Sequence, residues 1–136
     1  MRKIVIATHS MMAKGLKDTL EFIIGPQKSL LAITAYIDSD YSINQEIEQL
    51  FSDLAPDDEL IVTVDLLGGS VSNAFSEQID KDNFYLISGV NLPLLLELCL
   101  SGEQDTKKLI QKAMNSGNEG IVLVNELLEK TEEDDF

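Results

Sequence analysis

Apolar positions in this chain fall into short dense runs separated by amphipathic stretches, and the two kinds alternate. Ile4 to Ala7 is a β-rich run closed by polar Thr8-His9-Ser10. From there Met11, Leu16, Leu20, Ile23 and Ile24 recur at helical spacing until Gly25-Pro26 stops them. Leu30 to Ile37 reads as a second strand, and Ile43, Ile47, Leu50, Phe51 and Leu54 share one face of a helix over 43–54. Leu60 to Leu67 is a third strand, followed after Gly68-Gly69 by a helix from about Ser70 to Ile79. Phe84 to Ser88 is a fourth strand, and a helix opens near Asn91-Leu92-Pro93, where proline suits the first turn. A further helix is expected from Asp105 to Asn115 and a last strand over 120–125.

Strand alternating with helix implies a doubly wound α/β domain with a mainly parallel sheet and right-handed crossovers. Ile61-Val62-Thr63-Val64 supports this, since strands buried on both faces are continuously apolar rather than alternating. The expected strand order is 2-1-3-4. The strand at 120–125 lies at an edge or pairs with another subunit's sheet, and both placements are open. The chain's 136 residues fit one domain, here 1–125, with an acidic tail over 126–136 that reads as a frayed helix or disorder.

Charge narrows the partners. Ten Lys and Arg against 24 Asp and Glu give a net charge of −14, which repels nucleic-acid phosphates and anionic lipid and favours basic protein partners. No apolar run is long enough to span a membrane, and the N-terminal run is too short for a signal peptide, so a cytoplasmic protein is expected. The lone Cys99 can form no internal disulfide.

In open α/β sheets, ligands bind beyond the carboxyl ends of the strands where the order reverses, which here lies between strands one and three. The two loops that meet there hold Thr8-His9-Ser10 and Asp65-Leu66-Leu67-Gly68-Gly69-Ser70. An imidazole with one nitrogen bonded to a carboxylate is fixed in tautomer, and the lone pair on the other is free to attack. His9 as nucleophile and Asp65 as its orienting partner make a coherent pair. The backbone of Leu67, Gly68 and Gly69 can approach an anion closely, and Ser70, at a helix start, can hold a phosphate. Plainer readings stand beside these: His9 as a packing or capping residue, Asp65 as a turn former, Gly-Gly-Ser as an ordinary loop. The loop matches neither the dinucleotide fingerprint nor the Walker loop, and no second His is present to build a typical zinc site, so no metal and no cofactor are expected.

Thr8-His9-Ser10, Asp65-Leu66-Leu67-Gly68-Gly69-Ser70-Val71-Ser72-Asn73-Ala74 and Gly89-Val90-Asn91-Leu92-Pro93-Leu94-Leu95-Leu96-Glu97 together resemble the mannose-family enzyme IIA domains of the phosphoenolpyruvate-dependent sugar phosphotransferase system. The similarity covers nearly the whole chain. It departs from the usual motifs at Ser10 for glycine, Val71 for proline and Leu94 for methionine, which touches subfamily and substrate more than chemistry.

The resemblance implies that His9 accepts a phosphoryl group from phospho-HPr and passes it to a histidine-bearing IIB component, acting only indirectly on the IIC and IID membrane components. It implies that Asp65 supports the imidazole, that Ser70 contacts the phosphate, and that a homodimer forms by exchange of the last strand. Met11, Met12, Leu66 and Leu67 are candidates for a docking rim, at least half of them expected to pack in the core instead. A non-catalytic flavodoxin-like regulatory module, in which His9 and Asp65 only stabilise loops, is the alternative. A small hydrolase is weaker, because no nucleophile or metal site accompanies the histidine. The transported sugar and any natural fusion to a IIB domain are not legible.

Overall fold

Four of the apolar runs pair side by side as parallel strands in the order β2-β1-β3-β4: β1 (Arg2–His9), β2 (Leu30–Ala35), β3 (Glu59–Val64) and β4 (Phe84–Ser88). The computed structural model describes residues 1–134, with side chains to residue 129. Ile4 pairs with Leu30 on one side and Ile61 on the other, so β1 and β3 are the central strands. Both are almost wholly buried, as their unbroken apolar runs require.

Helices α1 (Met12–Ile24), α2 (Ile43–Ser52) and α3 (Ser70–Ser76) connect the strands. Val5, Ala7, Ile33, Leu60, Val62 and Val64 form one core with Ile47 and Leu50 of α2 and Val71 and Phe75 of α3. The intervening residues Ile4, Ile6 and Thr8 point to the opposite face, where α1 buries Ala13 and Leu20. Helices therefore cover both faces. Each large apolar side chain withdrawn from water contributes about 1.5–3 kcal/mol before chain entropy is counted.

Beyond α3 come α4 (Leu92–Leu100), α5 (Thr106–Glu119) and α6 (Val124–Asp134). The chain divides into two compact units, Met1–Leu92 and Pro93 onward. In the second, Asp105 caps α5 by accepting from the N–H of Lys108 at 3.2 Å, and Lys112 pairs with Glu103 at 3.3 Å. Leu95, Leu109 and Ala113 are fully buried. No helix among the described residues is long and apolar enough to cross a membrane.

One expected element is absent: residues 120–125 form no strand. The N–H of Gly120 bonds to the Ser116 carbonyl at 3.0 Å and that of Ile121 to Asn118 at 3.3 Å, which closes α5. Residues 121–123 are irregular, and α6 starts at Val124. A strand needs a neighbouring ladder to satisfy its backbone, and these amides find acceptors within their own segment instead. The Asn125-Glu126-Leu127-Leu128-Glu129-Lys130 stretch that follows is rich in helix formers, so of the two readings of the tail, frayed helix or disorder, it is helix that continues to Asp134. Residues 135–136 of that tail lie outside the described residues.

Candidate functional site

The crevice between the carboxyl ends of β1 and β3 collects most of the chemistry-bearing residues. His9 is the last residue of β1, on the same side of the sheet as Val5 and Ala7 and hence on the α3 side. Thr8, fully buried on the other side, accepts from the N–H of Ala13 at 2.7 Å and so ties the start of α1 to the strand end. Ser10 turns the chain with a left-handed φ of 56°, its N–H held by the Ala35 carbonyl at 2.8 Å. This left-handed turn explains why glycine would be at home there.

Asp65 follows β3 directly and reaches across to His9. Its Oδ2 accepts from the His9 N–H at 2.9 Å and from the His9 ring at Nδ1 at 2.7 Å, while Oδ1 accepts from the Leu66 N–H at 3.0 Å. Partial burial pushes the Asp65 carboxyl upward. The hydrogen bonds from the His9 N–H, the His9 ring and the Leu66 N–H outweigh that push, and the carboxyl titrates below its ordinary value of 3.8. With Nδ1 donating to a carboxylate, the neutral imidazole carries its lone pair on Nε2.

Nε2 faces Ser70, the first residue of α3, whose hydroxyl lies 3.1 Å away and donates to that lone pair. The His9 side chain is 41% exposed and Asp65 only 9%, so the imidazole is open to solvent while the carboxylate that holds it is covered. Gly68, at φ 81°, needs the freedom only glycine has, and Asn73 steadies the loop by donating to its carbonyl at 3.3 Å. Gly69 lies against the imidazole, where an added Cβ would sit 3.2 Å from His9 Cε1. Leu67 turns its side chain outward at 81% exposure, so any anion contact it makes is through its backbone.

All four rim candidates are exposed, Met11, Met12, Leu66 and Leu67 alike, against the expectation that at least half would pack in the core. They sit in loops or at a helix start, beyond the layer the sheet can cover. One residue absent from the sequence reading also belongs here. Tyr36 places its ring 5.7 Å from that of His9, tilted by 31°, and Tyr41 meets it T-shaped at 5.3 Å. Taking Leu30 to Ile37 as continuous strand hid this; β2 ends at Ala35, and Tyr36 turns away with φ 65°. An aromatic at a strand's carboxyl end, one strand from the crevice, was the available signal.

The chain matches the PTS system fructose IIA component family over residues 3–114. It belongs to that family of phosphotransferase-system IIA components. The mannose-specific EIIAB component of Escherichia coli strain K12 is 34% identical over 126 residues, 87% of this chain. The chain spans only 38% of the length of that relative. The fructose-specific EIIA component of Bacillus subtilis strain 168 is 27% identical over 96% of this chain and 91% of its own length. A putative phosphoenolpyruvate-dependent sugar phosphotransferase system permease from Klebsiella pneumoniae superposes with a TM-score of 0.89 at 35% identity, covering 93% of each chain. This IIA chain is thus of the mannose type, with its four-stranded sheet in the order 2-1-3-4.

Proposed function

We propose that this IIA chain is a phosphohistidine carrier, accepting a phosphoryl group on His9 Nε2 from phospho-HPr and passing it to a IIB component during sugar uptake in the cytoplasm. The observation that carries the reading is the pairing of His9 Nδ1 with Asp65 at 2.7 Å, which leaves Nε2 as the outward lone pair. In the accepting step a bond forms between Nε2 and phosphorus as the donor's P–N bond breaks, the donor imidazole keeping the electron pair. The proton on Nδ1 stays there, and Asp65 offsets the positive charge that the ring acquires.

Ser70 must release Nε2 as the bond forms, and its hydroxyl then serves a phosphate oxygen instead. The backbone of Leu67, Gly68 and Gly69 supplies further contacts to an anion whose charge is spread over its equatorial oxygens. No metal or cofactor is invoked, since alignment and donors carry most of phosphoryl transfer. The exposed Met11, Met12, Leu66 and Leu67 suit docking of two partners in turn. IIC and IID components are reached only through IIB. We expect a homodimer, with residues 120–125 refolding onto a second subunit's sheet.

A regulatory module draws on one observation, that both ring nitrogens of His9 already have protein partners. Intact mass after incubation with phosphoenolpyruvate, enzyme I and HPr separates the two. The carrier gains one acid-labile phosphoryl group, absent in His9→Ala and slowed by about 10- to 100-fold in Asp65→Asn, the usual cost of losing a histidine's orienting partner. No gain under conditions that label a known IIA domain leaves the regulatory module.

A further inference from the structure

We propose that Tyr36 is a positioning residue that flanks the imidazole of His9 and stabilises the cationic ring formed when Nε2 bears a phosphoryl group. The inference rests on the carrier reading and adds to it a residue outside the two crevice loops. His9 stands between Asp65 at one nitrogen and Ser70 at the other, and Gly69 closes on its Cε1. Tyr36 supplies a further wall, with ring centroids 5.7 Å apart and a tilt of 31°. That separation is within the roughly 6 Å at which an aromatic face attracts a cation.

The placement is specified at some cost. Tyr36 holds a left-handed backbone, φ 65°, which a bulky side chain rarely adopts and keeps only where its surroundings fix it. Two of those surroundings are visible. The Ala35 carbonyl just before it is tied to the Ser10 N–H at 2.8 Å, linking the ends of β1 and β2. Tyr41 braces the ring T-shaped, with centroids 5.3 Å apart. With 44% of Tyr36 still exposed, apolar burial alone is a weak reason for the strained backbone.

The neutral imidazole gains little from the ring face. The phosphorylated ring, with Nδ1 protonated and Nε2 bonded to phosphorus, is formally cationic and gains more. Tyr36 therefore favours the loaded carrier over the empty one, and its loss shifts the equilibrium of transfer, which a docking role between free proteins would leave unchanged.

The test mixes purified phospho-HPr with this chain, without enzyme I or phosphoenolpyruvate, and reads the equilibrium ratio of the two phosphoproteins by intact mass. Tyr36→Leu removes the ring face and keeps apolar bulk. Tyr36→Asn also lacks the ring but suits a left-handed backbone, so it folds even if leucine does not. Both lower the loaded fraction's equilibrium constant by about two- to fivefold, and Tyr36→Phe restores it. Variants that slow transfer but leave the constant unchanged overturn the proposal in favour of docking. A phenylalanine variant as poor as leucine overturns it in favour of the hydroxyl. Wild-type protein that takes no phosphoryl group at all overturns the carrier reading and this inference together, and only that outcome appears before any Tyr36 variant is made.

Discussion

Gly69 has φ −73°, a conformation open to any residue, so its lack of a side chain answers to space rather than backbone. Gly69→Ala would press on His9 Cε1 at 3.2 Å and displace the imidazole by a few tenths of an ångström. Transfer rates should fall by about 3- to 10-fold, given that misplacement by about 1 Å costs about 100-fold. The melting temperature should barely move, and rapid-quench transfer assays beside calorimetry check both. Asp65 makes a pH prediction. Its folded value lies below 3.8, so its stabilisation is full above that value and is lost as pH falls through the lower folded one. Urea denaturation should show wild type and Asp65→Asn converging in stability only as pH falls below 3.8.

Tyr41 runs the other way. Burial first, then the charges of Glu46 and Tyr36, push its phenol up to about 12, and among the described residues its buried hydroxyl finds no hydrogen-bond partner. Because the folded state resists this ionisation, stability is independent of the group below 10.0 and falls as pH rises from there towards about 12. Tyr41→Phe should flatten that alkaline fall in chemical denaturation and raise neutral-pH stability by up to about 1 kcal/mol. His9, Asp65 and Ser70 could be read from the sequence because strand ends at a topological switch point converge whatever the details. Tyr36 was harder to read, because a single left-handed residue decides where β2 stops and tyrosine carries no composition signal for that conformation, leaving only its aromatic character near a strand end as a sign.

Elements were legible where period and punctuation agreed. The four sheet strands are apolar runs bounded by polar or glycine residues, and Ser42 caps α2 by accepting from Gln45 N–H. Ends were less legible: β1 extends to Arg2 and His9 beyond its apolar centre, since backbone pairing with β3 reaches back to Arg2 and pairing with β2 reaches on to His9. The 120–125 segment forms no strand within this chain because β-branched composition describes a preference for a pleated surface, and none is paired to it here. Phe75, fully buried on α3, tests how much the short helix depends on the sheet. Phe75→Ala should cost about 3–5 kcal/mol in chemical denaturation, and because α3 starts at Ser70 it should also loosen the His9–Ser70 contact.

At the scale of the whole molecule, charge dominates. A net −14 on 136 residues sets up a field that draws basic surfaces in and holds acidic ones off. Association with a basic phosphoryl donor should slow by about tenfold or more between low and high salt, with dissociation much less affected, in stopped-flow measurements. Family membership extends over residues 3–114 of this chain.

The grip of Asp65 on Nδ1 has an analytical consequence. Phosphohistidine exists as two positional isomers, and a carboxylate occupying the pros nitrogen leaves only the tele position to be loaded. The two differ in 31P chemical shift and are told apart by isomer-selective antibodies. On the carrier role proposed above, a tele-specific reagent should therefore label this protein once it is phosphorylated, and a pros-specific one should leave it unlabelled.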